Sequence, residues 1–167
     1  MSDLKGLLAE FGADRLGLLE RHEASARVVG HYDFNNTYQY VINREETHLS
    51  WLQSAIDEGG GYAVALRAAA LSAPVPPKAS RKPQAGDYRE ILETDARFLH
   101  ACVEKWRGPV QAIGHAGHRI MLNVVLGESL EHARLFEQAA GGLEDVLGRR
   151  TTHAERVGGV LPTRWQE

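Results

Sequence analysis

Apolar residues recur along this chain at the three- and four-residue spacing of helices, and no stretch alternates apolar with polar residues long enough to argue for a sheet. The punctuation divides the pattern into four elements. A short amphipathic segment carries Leu4, Leu7, Leu8 and Phe11. After Gly12-Ala-Asp14 a second helical pattern runs from about Arg15 to Gly30, and the two together make a helix A that the intervening turn residues would kink. Asn36 followed by Gln39 has the spacing of a capping box, and Gly59-Gly-Gly61 closes the apolar pattern that begins there, so helix B is expected at about 37–58. Asp87 with Glu90 repeats the signal, and Gly108-Pro109 reads as a stop, giving helix C at about 88–107. Helix D is expected at about 115–140, before Gly141-Gly142.

Between B and C lies a long connection, about 59–86. Ala63 to Leu71 has the composition of a short helix, and the stretch from Ala73 to Gln84 is Pro-rich. A Pro-rich chain advances about 3 Å per residue and can cross the length of a helix such as B. A long B-to-C connection between two short turns makes B and C parallel. The expected fold is therefore all-α: a four-helix bundle with a crossover and a short N-terminal helical extension, in one domain over 1–148, followed by a basic tail over 149–167.

Placing residues about 100° apart shows what the faces carry. The stripe of helix B is Tyr38, Val41, Ile42, Leu49, Leu52 and Ile56, with Glu45 at its centre and His48 nearer one side. On helix C, Asp95 is the acid nearest the middle of the stripe Tyr88, Ile91, Leu92, Leu99, Cys102 and Trp106. The stripe of helix D includes Glu128 and His132, with Glu131 at its edge. Helix A offers Glu23, beside Leu19 and Ala26, or His22, nearer Leu18 and Val29; Glu23 is taken because its depth matches that of Glu45. With neighbouring helices antiparallel, all these groups lie about 12 to 18 Å from one end of the bundle. Inward carboxylates and imidazoles are costly to bury unless something binds them, and in a helical bundle that is most often a metal.

Connectivity and ligand pattern over about residues 15–142 resemble the ferritin-like di-iron carboxylate proteins, whose relatives include rubrerythrins and ferritins. That family holds two metal ions with one carboxylate from each of two helices and a Glu-x-x-His pair from each of the other two. The resemblance implies Glu23 and Asp95 as single carboxylates, Glu45 with His48 as one pair, and Glu128 with His132 as the counterpart of the second. The second pair departs from the pattern, because Ser129 stands three residues before His132; the acid is Glu128 at a spacing of four, or Glu131. The implied cofactor is two metal ions, iron foremost, with manganese or zinc as alternatives. The implied activity is an oxidoreductase acting on dioxygen, peroxide or ferrous iron. Two other classes stay open: a transferase bundle with a single metal ion held mainly by histidines, and a metal-free interaction module.

Composition narrows the partners. The 167 residues are 43% hydrophobic and 25% charged, with a formal charge of -3, which gives no footprint for nucleic acid or an anionic membrane surface. No run approaches a membrane span and the N-terminus lacks a signal-peptide hydrophobic region, so a cytoplasmic location is expected. The single cysteine, Cys102, reads as a small buried hydrophobe, and the chain has no Cys-x-x-Cys pairs for a rubredoxin-like module. His115 and His118 flank glycines where helix D begins and suit a capping or surface role. A small-molecule oxidant or substrate is the expected partner. Tyr40 and Trp51, on the outer side of helix B, suit either packing under the crossover or a homodimer face.

Overall fold

A computed structural model describes residues 4–59, 65–78 and 81–149. Among the described residues the chain is all-helical, with four helices and no strand: α1 (Leu4–Val28), α2 (Tyr32–Glu58), α3 (Arg89–Gln111) and α4 (Ala116–Ala140). A 3-10 turn, Ala85–Tyr88, leads into α3. Of the basic tail, all but Arg149 lies outside the described residues. No helix among them is long and apolar enough to cross a membrane.

Three boundaries differ from the sequence expectation, each for a local reason. α1 runs unbroken through Gly12-Ala-Asp14, so the N-terminal segment is no separate extension; burial of Leu8, Phe11 and Leu18 along one face outweighs the weak propensity of glycine. α2 begins at Tyr32, because His31 rather than Asn36 caps it, with Nδ1 accepting from the Phe34 amide at 3.4 Å. Asn35 instead donates to the Ala26 carbonyl and ties the end of α1 to the start of α2. α3 passes through Pro109 to Gln111, held by Val110, which is fully buried, and by Ile113 just beyond. Proline costs a helix interior one backbone bond, but here that loss falls in the last turn. α4 is capped by His115, whose Nδ1 accepts from the His118 amide at 3.1 Å. It ends at Gly141, after which Gly142 takes φ 106°, a conformation that favours glycine.

Cross-helix contacts fix the senses of the helices. Asp14 meets Lys105 and Trp106 while Arg21 meets Asp95, so α1 and α3 are antiparallel. Tyr40 meets His132 while His48 meets Glu128, so α2 and α4 are antiparallel too. His22 meets Glu45 while Asn35 meets Ala26, so α1 and α2 are antiparallel as well; α2 and α3 therefore run in the same sense, and Tyr38 reaches across the centre to Asp95.

The chain between α2 and α3 returns along α1. The described residues 65–78 have no helix, so the part of the Ala63-to-Leu71 segment that can be described is not helical; residues 63 and 64 lie outside the described residues. The Ala69 amide donates to the Ala13 carbonyl at 2.9 Å, and Arg21 donates to the Ser72 carbonyl at 2.6 Å. Gly17 makes this approach feasible, since a Cβ there would stand 2.3 Å from the Ala69 carbonyl oxygen.

Gly17→Ala tests the clamp by its sign. On a helix with nothing above it the change stabilises by about 1 kcal/mol. Here the strap must move, and we expect a net loss of about 1–2 kcal/mol in urea denaturation, with faster proteolysis between 65 and 78.

Candidate functional site

The inward faces converge on a polar layer in the middle of an otherwise apolar core. Asp95, with no exposed surface, accepts from Arg21 Nε at 2.7 Å and from the Tyr38 hydroxyl at 2.6 Å, one on each oxygen. Burial, with Asp95 beside it, holds the Tyr38 hydroxyl well above the usual tyrosine range, so it remains a donor. Glu45 shares Oε2 with His22 Nδ1 at 2.8 Å, and its Oε1 lies 3.6 Å from Arg15 Nη2. Arg15, wholly buried, also donates through Nη1 to Ser129 Oγ at 2.8 Å, and Ser129 in turn donates to the Val125 carbonyl.

The charges in this layer are mutually adjusted. Burial pulls the Glu45 carboxyl up, but His22 and then Arg15 overcome it and hold it below the ordinary value. Burial likewise pulls His22 down, and Glu45 wins, leaving the imidazole above its ordinary value. Two guanidiniums, Arg15 and Arg21, thus face the two buried carboxylates.

A second group lies toward the surface between α2 and α4. Glu128, about one-third exposed, accepts from Arg44 Nη2 at 2.8 Å and Nε at 3.1 Å, and pairs with His48 Nε2 at 2.5 Å. The rings of His48 and His132 stack at 6.3 Å between centroids, with 20° between planes. Burial, followed by Arg15, lowers His48, and burial lowers His132 to about 4, so both rings are neutral near pH 7. His48 Nδ1 and His132 Nδ1 are buried and find no hydrogen-bond partner among the described residues. Trp51 packs 5.4 Å from the His48 ring, and Tyr40 presents its ring edge-on to His132 at 5.9 Å.

Of the sequence candidates, the structure buries Glu45, His48, Asp95 and His132 and places Glu128 at the rim. Glu23 is only partly buried, and His22 takes the inward position on α1, a correction that follows from where Leu18 and Val29 point. Glu131 is exposed and pairs with Arg134 on its own helix at 3.8 Å, so Glu128 is the α4 acid that reaches α2. Arg15 and Arg21 are not among the residues that the sequence pattern singles out. Arg15 does fall on the helical stripe of Leu8, Phe11, Leu18 and His22, and a cation on such a stripe is the signal that would have found it. Cys102 is buried, and burial raises its thiol above the ordinary value.

Glu45 and Asp95 do not fit a pair of metal ions. Both oxygens of Asp95 are committed to Arg21 and Tyr38, and a dication beside Glu45 would stand next to the buried charge of Arg15. His48, Glu128 and His132 supply residue types suited to a divalent transition metal, two imidazoles and a carboxylate, but they are not among the groups whose ligand atoms all lie within 4.8 Å of one another. Glu128 and His132 are one helical turn apart, so the carboxylate would have to turn away from Arg44 to reach the imidazole.

Among the described residues, the one group of three whose ligand atoms lie within 4.8 Å of one another is elsewhere, at His31, Asp33 and Glu144. His31 is poorly suited to ligation. Its Nδ1 accepts the Phe34 amide at 3.4 Å and its Nε2 pairs with Glu144 at 2.8 Å, so both ring nitrogens are already engaged.

Comparison with protein-family models, with curated proteins and with solved structures gave no match to this chain.

The depressed His132 predicts how the metal-free protein responds to acid. A base whose folded pKa lies below its unfolded value leaves the unfolded state holding more protons between the two, here between about 6.5 and about 4. Stability falls as pH drops through that window. Unfolding free energies from urea denaturation at pH 7 and pH 5 are expected to differ by about 1–2 kcal/mol more in the wild type than in His132→Gln.

Proposed function

We propose that this chain is a metal-dependent four-helix bundle of ferritin-like arrangement that binds one divalent transition-metal ion through His48, Glu128 and His132. The observation that carries this reading is the pair of buried, neutral, stacked imidazoles on α2 and α4, each with Nδ1 unpartnered; Glu128 lies on the Nε2 edge of His48, so joining the ion requires that side chain to move. Burying a polar nitrogen without a partner costs about 1–3 kcal/mol, and an ion at this position recovers that cost. The antiparallel pairs, with α2 and α3 in the same sense, support the ferritin-like arrangement.

Such an ion, with three protein ligands, keeps open positions and supplies Lewis acidity toward an oxygen-bearing substrate. The chain's own groups shape what reaches it. Trp51 packs on the His48 ring and Tyr40 on the His132 ring, one at each end of the imidazole pair, and we assign them to the site rather than to a subunit contact. The guanidiniums of Arg15 and Arg21 neutralise the deeper carboxylates, which keeps Glu45 and Asp95 out of the ligand set. A single-ion transferase or hydrolytic site is thus favoured over a di-iron oxidoreductase.

Metal analysis of protein purified without chelators or a metal-affinity column, then titrated with zinc, tests this assignment. One ion per chain is expected, with uptake reduced at least a hundredfold in His48→Ala and in His132→Ala. Two ions per chain, dependent on Asp95, would restore the di-metal alternative. Protein that takes up no ion and melts unchanged on adding zinc would leave a metal-free interaction bundle.

A further inference from the structure

A cavity of about 350 Å³ lies between α1 and the strap and shares no residue with the imidazole pair. Its two walls meet at Gly17, against the Ala69 carbonyl, while at Arg21 a whole side chain spans the gap to Ser72. Gly17 and Ala24 line it on α1 and Ala68, Ala70 and Ala73 on the strap, so the walls are largely methyl groups and main chain. That main chain is unpaired: among the described residues, Ala68, Ala70, Leu71 and Ala73 make no hydrogen bond through amide or carbonyl. An open main-chain edge of this kind is what an incoming peptide pairs with. Two charged side chains also line the cavity, Glu20 and Arg21. Arg21 is balanced by Asp95 at 2.7 Å, and of its five N–H groups one is committed to Asp95 and one to the Ser72 carbonyl. Glu20 makes no ion pair among the described residues, so the cavity carries one uncompensated negative charge.

We infer that this cavity captures the free amino terminus of a peptide with small side chains: the ammonium pairs with Glu20, the first carbonyls accept from the remaining N–H groups of Arg21, and the peptide main chain bonds to that of residues 68–73. The uncompensated charge sets the sign of the ligand and disfavours a phosphate or a carboxylate. A metal ion is a poor match, because the lining offers it one acid and no imidazole. The open amides and carbonyls of the strap call for a ligand that carries both donors and acceptors, which a simple alkyl amine lacks. The walls then set the side chains, since beside Ala24 and Ala70 there is room for glycine or alanine where leucine would overpack.

Calorimetric titration of the full chain with trialanine amide, which keeps a charged amino terminus and has no carboxylate, tests the assignment against its N-acetyl form. The free peptide is expected to saturate one site per chain, with the acetylated one about tenfold weaker or more. Glu20→Gln should bring the free peptide down to the acetylated level at an unchanged melting temperature, because Glu20 supports no contact in the fold. An α-amino group loses its proton near pH 8, so affinity should fall between about pH 7 and about pH 9 in the wild type and stay flat in Glu20→Gln. Ala24→Leu, which fills the cavity from α1, should remove binding, and trileucine amide should bind the wild type more weakly than trialanine amide. Equal affinity for the free and acetylated peptides would overturn the capture of an amino terminus. No saturation by either peptide, or binding unchanged in both Glu20→Gln and Ala24→Leu, would overturn the site itself. Peptide affinity is expected to be the same with and without zinc, so the outcome is independent of the ion site proposed above.

Discussion

Asp95→Ala is expected to cost about 3–5 kcal/mol, enough to lower the melting temperature by roughly 10 °C. The carboxylate is fully buried and serves two partners on different helices, Arg21 on α1 and Tyr38 on α2. Its removal leaves a nearly buried guanidinium without its counter-charge and a buried hydroxyl without an acceptor. Either defect alone costs on the order of 1–3 kcal/mol. The Arg21 side chain also holds the Ser72 carbonyl of the strap, so the damage should spread to residues 65–78 and appear there as faster hydrogen exchange. Asp95→Asn should be milder, since the amide oxygen still accepts from Tyr38. Chemical denaturation of the three proteins checks the order, and equal stability of Asp95→Ala and wild type would remove the buried pair from the account of this core.

The second large effect is at Glu45, where stability and ion binding should separate. Glu45→Ala strands Arg15, which is wholly buried, and removes the partner of His22 Nδ1, for an expected loss of about 3–5 kcal/mol. Glu45→Gln keeps an acceptor for His22 and should lose less. Both are expected to retain one zinc per chain, because the proposed ligands His48, Glu128 and His132 are untouched. A Glu45→Leu/Arg15→Met double variant should recover most of the stability, since a buried ion pair replaced by apolar groups of similar volume is often neutral. Loss of the ion in Glu45→Gln at unchanged fold would return Glu45 to the ligand set.

How much of the fold and the site is legible in the sequence differs from residue to residue. The stripe of Tyr38, Val41, Ile42, Leu49, Leu52 and Ile56 identifies α2, and the structure buries all of them but Leu49, which is partly buried. The inward placement of Glu45, His48, Asp95 and His132 is equally legible, because a side chain's position around a helix depends only on residues one turn away. Boundaries fare worse. Asn36 and Gln39 fit a capping pattern, yet His31 caps α2, and Gly108-Pro109 reads as a stop although burial of Val110 carries α3 past it. Tertiary packing outweighs local propensity at both places.

The counter-charges are the part the sequence hides. Arg21 and Asp95 are separated by 74 residues and Arg15 and Ser129 by 114, so no local pattern couples them. Ser129 stands where the resemblance calls for a carboxylate, a visible departure, but only the structure shows a buried guanidinium donating to it. The sequence alone determined four helices, their order, and that Glu45, His48, Asp95 and His132 turn inward, since helical periodicity is a local property; on α1 it favoured Glu23 where the structure buries His22. Tertiary structure decided what neutralises each buried charge and which imidazoles keep an unpartnered nitrogen. That choice depends on which helices lie side by side and on how far a long arginine reaches between them.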